Sequence, residues 1–361
     1  MNNEFPVVKL KFTEILAGLV KADSIPMIWG LPGTGKTSMI LNDIPKLTGR
    51  PVIYVPLGGK QPEEITGFLV DPGEGSKSLE VKIPFWADIA YEYGNAVIFV
   101  DEFGSCIPET QAGALSVLRE RVIGRYTLPK ETRFIAAGNP LGSAANGVLL
   151  APPMANRLVH LDYNVNAQEW ADSMTTRFGF GFEDDFQASC YALVAGYILS
   201  NPGSVIKMPE DPVDSSRGWP SPRTWEEVAK MVYQFKGVEA HSIFGAVGEG
   251  EGRKFLHYVA NRDLPPAREV LEKAETFKIP EKEDKFHVLL ASVITLASSD
   301  LKFWENAWTI IGRALAVHPQ IAYPAACKYL VFGESKGLSL PEVALAPMVE
   351  MMKKSRLVEG L

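Results

Sequence analysis

Unbroken apolar runs alternate with helically spaced ones through the first half of the chain, and from Ala167 onward only the helical spacing persists. Ile25–Trp29, Pro51–Val55, Ala96–Val100, Arg133–Asn139 and Val159–Leu161 read as five strands. Val97-Ile98-Phe99-Val100 is apolar throughout, which marks a strand buried on both faces, as in a parallel sheet. Between the strands, Phe12, Ile15, Leu16 and Leu19 recur at helical spacing. A helix from Lys36 is expected to stop before Pro45, because proline has no N–H and crowds the preceding turn. Trp86–Tyr93 and Gln111–Arg121 predict two more helices. Phe68–Val70 and Leu79–Ile83 flank the polar turn Asp71–Gly75 as a hairpin. Gly124–Leu128, a turn at Pro129-Lys130-Glu131 and Arg133–Asn139 predict a second hairpin leading into a core strand. Pro152–Leu161 reads as a helix end running into the fifth strand.

In the helical half, Lys207–Pro222 is rich in Pro, Asp, Ser and Gly and predicts a loop. It leads to Ser221, a good N-cap, and Pro222, a good first-turn residue. The helix that follows has Trp225, Val228, Ala229, Val232 and Phe235 on one face, with Gly237 as its expected stop. Gly245–Gly252 predicts another loop. Helical segments follow over Arg253–Val259, Pro266–Phe277, Phe286–Ala297, Phe303–Val317, Ile321–Phe332 and Pro341–Leu357, with no internal repeat and no chemistry that the residues declare.

Composition narrows the class. The 361 residues are 46% hydrophobic and 22% charged, ordinary globular values with length enough for two domains. The net charge of −7 and the lack of a Lys/Arg-rich run give no nucleic-acid footprint. Cys106, Cys190 and Cys327 are scattered and odd in number, and Met1–Phe12 lacks the form of a signal peptide; both fit a reducing, cytoplasmic setting. The longest apolar stretch, His287–Ser298, is too short to span a bilayer. The five histidines fall in no zinc-binding pattern.

Two stretches carry chemistry. Gly30-Leu31-Pro32-Gly33-Thr34-Gly35-Lys36-Thr37-Ser38 follows the first apolar strand and opens a helix, fitting G-x-x-x-x-G-K-[ST]. Gly30, Gly33 and Gly35 let the backbone curl so that its N–H groups face phosphate oxygens, and the helix start adds a positive dipole end. Lys36 can reach the β- and γ-phosphates, and the Thr37 hydroxyl can ligate Mg²⁺. Asp101-Glu102 closes the third apolar strand at its C-terminal end, where α/β sheets place ligands. Asp101 would hold the Mg²⁺ shell, and Glu102 would orient and polarise an attacking water. Asn139 ends the fourth strand, either to hold that same water or as part of an Asn-Pro turn with Pro140. Arg157 stands before the fifth strand, where it is either a functional cation or a surface charge near a helix C-terminus. Arg223 projects from a helix N-terminus against the dipole, which hints at a phosphate partner, although a solvated arginine is the plainer alternative.

Taken in order, Gly30–Thr37, Asp101-Glu102, Asn139, Arg157 and Arg223 resemble the Walker A, Walker B, sensor 1, arginine finger and sensor 2 of an AAA+ ATPase. Pro62–Gly67, Asp101-Glu102-Phe103, Ala137–Pro140, Ala155–Leu158 and Ser221-Pro222-Arg223 are similar to the MoxR-like subfamily. Phe103 replaces the usual Asn after the glutamate, and Asn156 the usual Asp before the finger arginine. The resemblance covers about residues 10–240. It implies an α/β P-loop NTPase fold: a five-stranded parallel sheet with helices on both faces, a helical lid and a helical C-terminal extension. The corresponding domains would be residues 1–165, 166–240 and 241–361. It further implies ATP and Mg²⁺ as cofactors, a homo-oligomeric, hexameric ring, and a protein client or adaptor such as a von Willebrand A-domain protein. The two hairpins would match inserts on the pore face. Three functions compete: a ring ATPase remodelling a protein, which the motif set favours; a nucleic-acid-directed NTPase; and a P-loop kinase. The kinase must exclude water, whereas Glu102 and Asn139 are suited to aiming it.

Overall fold

The computed structural model describes residues 8–73, 78–141, 149–176, 182–260 and 264–349. The far side of the expected Asp71–Gly75 turn and the last part of the helix expected to Leu357 lie outside those residues. The chain divides into two compact units, Met1–Asn164 and Val165–Leu361.

The first unit runs α1 (Phe12–Lys21), β1 (Pro26–Trp29), α2 (Lys36–Thr48), β2 (Val52–Pro56), α3 (Glu63–Thr66), β3 (Phe68–Val70), β4 (Glu80–Lys82), α4 (Phe85–Tyr93), β5 (Val97–Asp101), α5 (Pro108–Glu120), β6 (Val122–Ile123), β7 (Tyr126–Thr127), β8 (Arg133–Gly138), α6 (Pro152–Ala155) and β9 (Val159–Asp162). The five strands expected from the apolar runs form one sheet in the order β2-β5-β8-β1-β9, with every pairing parallel. Successive strand residues point to opposite faces, so both layers draw on the same strands. Ile28, Val97, Phe99, Ile135 and Ala137 pack with Leu16 and Val20 of α1 and Ile40 and Ile44 of α2. Met27, Ile98, Val100, Phe134 and Ala136 pack with Trp86 and Ala87 of α4 and Val117 and Leu118 of α5. An apolar run without alternation is what burial on both faces requires.

In this unit the local structure departs from expectation at two places. α2 continues through Pro45 to Thr48 and is closed by left-handed Gly49 (φ 70°), whose N–H donates to the Pro45 carbonyl. The bond that proline forfeits would have gone to Leu41, in a turn where Leu41 and Leu47 are exposed and water can substitute. The second hairpin is β6–β7, turning at Gly124 (φ 58°), and does not involve the Pro129–Glu131 segment. β8 cannot serve as a hairpin arm because β5 and β1 already take both its edges. The first hairpin is present as β3–β4, with Phe68 opposite Lys82 and Val70 opposite Glu80.

The second unit is helical: α7 (Ala167–Thr176), α8 (Asp185–Ser200), α9 (Pro212–Ser215), α10 (Pro222–Gln234), α11 (Ala240–Val247), α12 (Glu249–Ala260), α13 (Ala267–Glu272), α14 (Glu283–Ser299), α15 (Trp304–Leu315) and α16 (Pro319–Ser335). Residues 342–349 are also helical. One core gathers Tyr197, Trp225 and Phe255 from α8, α10 and α12; another gathers Trp304, Trp308 and Tyr329 from α15 and α16. α10 begins as expected: Ser221 caps it in a reciprocal box with Thr224, and Pro222 is the first helical residue. Its end differs. Lys236 takes the left-handed conformation (φ 55°), Gly237 donates to the Val232 carbonyl, and Phe235, past the last helical turn, is 55% exposed instead of buried.

Gly245–Gly252 is not a loop. It is the junction of α11 and α12, broken only at Gly248 (φ 77°). Its unusual composition reflects packing. A Cβ on Gly252 would stand 2.5 Å from the Phe244 ring. Glu251 is 7% exposed; it accepts from Ser204 Oγ at 2.8 Å, Tyr197 OH at 3.2 Å, Lys254 Nζ at 2.8 Å and Lys207 Nζ at 3.3 Å. Burial pushes its carboxyl upward, but Lys254, Ser204 and Lys207 outweigh that and hold it at about 2 instead of its ordinary 4.5. Because the folded state keeps this charge more firmly than the unfolded chain, the stabilisation is complete above pH 4.5 and is lost as pH falls toward about 2. Glu251→Gln should therefore lower the unfolding free energy by about 1–3 kcal/mol at neutral pH. Denaturant titrations through that acid window should show the gap to wild type closing; a gap that stays constant would remove the charged network from the account.

Candidate functional site

The site forms at the C-terminal edge of the sheet, where β1, β5 and β8 end together. β1 gives way to Gly30, whose N–H donates to the Gly138 carbonyl at 3.2 Å. A Cβ on Gly30 would stand 2.9 Å from the Tyr163 carbonyl oxygen, so the loop can leave the sheet here only as glycine. Gly33 (φ 76°) and Gly35 (φ 88°) then take left-handed conformations. The Thr34 hydroxyl donates to the Leu31 carbonyl at 2.8 Å and closes the loop over Pro32. Gly35 is the N-cap of α2 and brings no side-chain acceptor, which leaves the first N–H groups of the helix to an anion.

Lys36 is 7% exposed. Its ammonium donates to Gly30 O at 2.6 Å, Leu31 O at 3.0 Å and Asn139 Oδ1 at 3.1 Å, so the P-loop lysine and the end of β8 already meet. One residue on, the Thr37 hydroxyl donates to Asp101 Oδ2 at 2.7 Å; Ser38 follows, exposed. Asp101 is 7% exposed, and its other oxygen accepts the Glu102 backbone N–H at 2.9 Å. Hydroxyl and carboxylate thus offer two hard oxygens side by side, the donor type that Mg²⁺ takes alongside phosphate oxygens and water. Three glycines, a helix start, a buried ammonium and this oxygen pair suit a nucleoside triphosphate with its metal.

Glu102 is exposed and left-handed (φ 57°), uncommon for a residue with a side chain. That backbone turn swings its carboxylate toward the loop after β2. A Cβ on Gly58 would lie 1.7 Å from Glu102 Oε2, so this carboxylate occupies space that only glycine leaves open. Arg157 lies between α6 and β9, exposed, with Nη1 donating to the Pro153 carbonyl at 2.6 Å. Among the described residues its hydrogen bond is to Pro153 and not to the P-loop. Arg223 is the second residue of α10 in the other unit and is exposed there.

Two contributors escape sequence reading. Tyr54 of β2 donates to Asp101 Oδ2 at 3.4 Å, and its ring lies 5.6 Å from that of Phe99. Gly58 makes room for Glu102. Neither sits in a motif; the available signal was only that β2 must pair beside β5, which puts Pro56 opposite Asp101.

No protein-family model matches the chain, and no curated protein matches it. Among solved structures, a protein of Cytophaga hutchinsonii provisionally described as an ATPase aligns with 69% of this chain and 88% of its own, at 14% identity and a TM-score of 0.35. Two single-residue variants of Thermotoga maritima RuvB also align. One covers 72% of this chain and 74% of its own at 14% identity and a TM-score of 0.36; the other covers 83% and 86% at 15% identity and 0.37. With superpositions that loose, the chain's own residues carry the function.

The Gly58 contact yields a sharp expectation. Gly58→Ala should displace the Glu102 carboxylate while leaving the glycine loop intact. With a nucleoside triphosphate as probe, affinity should stay within about threefold, and phosphate release should fall about tenfold or more if Glu102 serves as a general base. Unchanged release would mean that Glu102 works from another position.

Proposed function

We propose that this chain is an AAA+ ATPase, MoxR-like in kind, that hydrolyses ATP as a ring and uses the cycle to remodel or activate a protein partner. The observation that carries the ATPase reading is the Thr37–Asp101 contact at 2.7 Å, set between the buried Lys36 ammonium and the exposed Glu102 carboxylate. It joins the two motif stretches into one site with a metal-binding side and a water-facing side.

In this reading the glycine loop and the α2 N-terminus cradle the phosphates, and Lys36 exchanges its carbonyl acceptors for β- and γ-phosphate oxygens. Thr37 and Asp101 would hold Mg²⁺, which supplies positive charge to the phosphate oxygens when bound. Glu102 orients a water and accepts its proton as the water oxygen bonds to the γ-phosphorus. The bond from phosphorus to the bridging oxygen breaks, and ADP leaves with that electron pair. Asn139, tethered to Lys36, steadies the same water. Arg157 lies beside the edge strand β9, suited to a neighbouring subunit's γ-phosphate, and its guanidinium stays charged and bridges two oxygens. Arg223 would contact the γ-phosphate from the helical unit.

By the same reading, residues 1–165 bind nucleotide, 166–240 form the lid and 241–361 extend it. The ring is hexameric and cytoplasmic, with a von Willebrand A-type protein as its candidate partner. Among the described residues no helix is long and apolar enough to cross a membrane.

Lys36→Ala should weaken ATP binding by about tenfold or more, the loss of a charge-assisted contact. Glu102→Gln should bind ATP normally and hydrolyse it at least about a hundredfold more slowly, because an amide does not accept the proton. Phosphate release and equilibrium binding measure both; wild-type turnover by Glu102→Gln would overturn the assignment.

Arg157→Ala should retain ATP and lose turnover by about a thousandfold, the scale of fingers supplied in trans. Mixed with Lys36→Ala it should regain part of its activity, and only at concentrations where rings assemble. A mixture that stays inactive in demonstrably mixed rings would place Arg157 in its own subunit's site, or require every site intact; linked dimers of the two variants separate those cases.

A further inference from the structure

His160, on the edge strand β9, makes two hydrogen bonds that no motif anticipates. Its Nδ1 accepts from the indole Nε1–H of Trp29 at 2.8 Å. Its Nε2 lies 2.8 Å from the Ala155 carbonyl oxygen. An indole nitrogen only donates and a carbonyl only accepts, so both bonds together require the neutral ring with its proton on Nε2. The two ring planes lie within 6° of each other with centroids 6.1 Å apart, which suits a hydrogen bond lying in the ring planes.

The partners of this pair matter more than the pair itself. Trp29 is the last residue of β1 and immediately precedes Gly30. Its Cζ3 atom is 3.4 Å from where a Cβ on Gly104 would stand, two residues after Glu102, and equally 3.4 Å from a Cβ on Gly138, just before Asn139. The six-membered ring therefore rests on backbone that follows one catalytic candidate and precedes another. At the other end, Ala155 closes α6, two residues before Arg157. One imidazole thus links the turn that carries Arg157 to a ring wedged beside the P-loop, the Glu102 turn and the Asn139 strand end.

We propose that His160 is a positioning residue for hydrolysis: by holding the Trp29 indole to the Ala155 carbonyl, it keeps the Arg157 turn in register with the P-loop, Glu102 and Asn139. Its role runs through Trp29 and the Ala155 carbonyl and not through direct contact with the reacting atoms, and it rests on the ATPase reading above. Since the contacts that shape the phosphate loop, Gly30 to Gly138, Thr34 to Leu31 and Lys36 to Gly30 and Leu31, are made without the imidazole, losing it should affect turnover and spare binding.

Three substitutions test this, with Lys36→Ala and Glu102→Gln measured beside them. His160→Leu keeps bulk but neither bond; ATP affinity should stay within about threefold while kcat falls about tenfold, the equivalent of one lost hydrogen bond at the transition state. His160→Gln can accept from the indole and donate to the carbonyl, so it should recover most of that loss, which a purely space-filling role would not predict. Trp29→Phe removes the donated N–H while preserving an aromatic ring over Gly104 and Gly138, and should match the leucine variant; it serves also if the leucine variant fails to fold. Wild-type kcat in His160→Leu or Trp29→Phe, a leucine and glutamine pair impaired equally, or a loss confined to affinity would each overturn the proposal. If Lys36→Ala and Glu102→Gln both behave as wild type, the ATPase reading falls and takes this proposal with it. If they fail as expected while His160→Leu does not, this proposal falls alone.

Discussion

An ammonium group taken out of water must find acceptors, and much of this site follows from where Lys36 finds them. Burial of an unpaired cation is among the costliest arrangements in a protein. The acceptors of Lys36 include two carbonyls of its own loop, which bend that loop back over the end of β1, and the amide oxygen of Asn139. The lysine therefore shapes the glycine loop and registers it against the neighbouring strand. Because Thr37 follows directly, the same helical turn that buries the ammonium delivers a hydroxyl to Asp101. These acceptors are also weaker than phosphate oxygens, so the charge is held without being committed.

The sheet supplies the other half of the constraint. In an all-parallel sheet every strand reaches the same edge, so the ends of β1, β5 and β8 are neighbours by construction. What distinguishes this edge is how little side chain it carries. Gly30, Gly138, Gly104 and Gly58 stand where the backbone of one element passes close to a neighbour, and at each of them a Cβ would meet that neighbour at 3.4 Å or closer. That sparseness lets Trp29 and the Glu102 carboxylate settle into the gaps.

The parts legible in the sequence were those whose chemistry fixes residue type at short spacing. Gly30 to Thr37 had to appear as a unit, and Asp101-Glu102 had to close a strand buried on both faces. Ser221 and Pro222 were readable for the same reason, since a cap acts within four residues. Tyr54, Gly58 and His160 were not, because each matters through a partner on another strand or turn, and no local pattern encodes that meeting. Pro45 and, apart from Gly248, the Gly245–Gly252 region misled in the opposite way. Residues that usually break helices were overruled, in the first case by solvent near Leu41 and in the second by the burial of Glu251. The turn at Gly124 competed with one at Pro129, and only the pairing of β8 on both edges decides between them.

The strand order also sets when this site can exist during synthesis. β1 emerges first, yet it pairs with β8 and β9, as Met27 opposite Ala136 and His160 shows. Contacts so distant along the chain close late, after the intervening loops have lost their freedom. The glycine loop is therefore made early and finished late: the strand beneath it gains its first neighbour only after the ribosome has passed Gly138 and its second only after Asp162, and a nucleotide meeting the nascent chain before then would find the motif without its cradle.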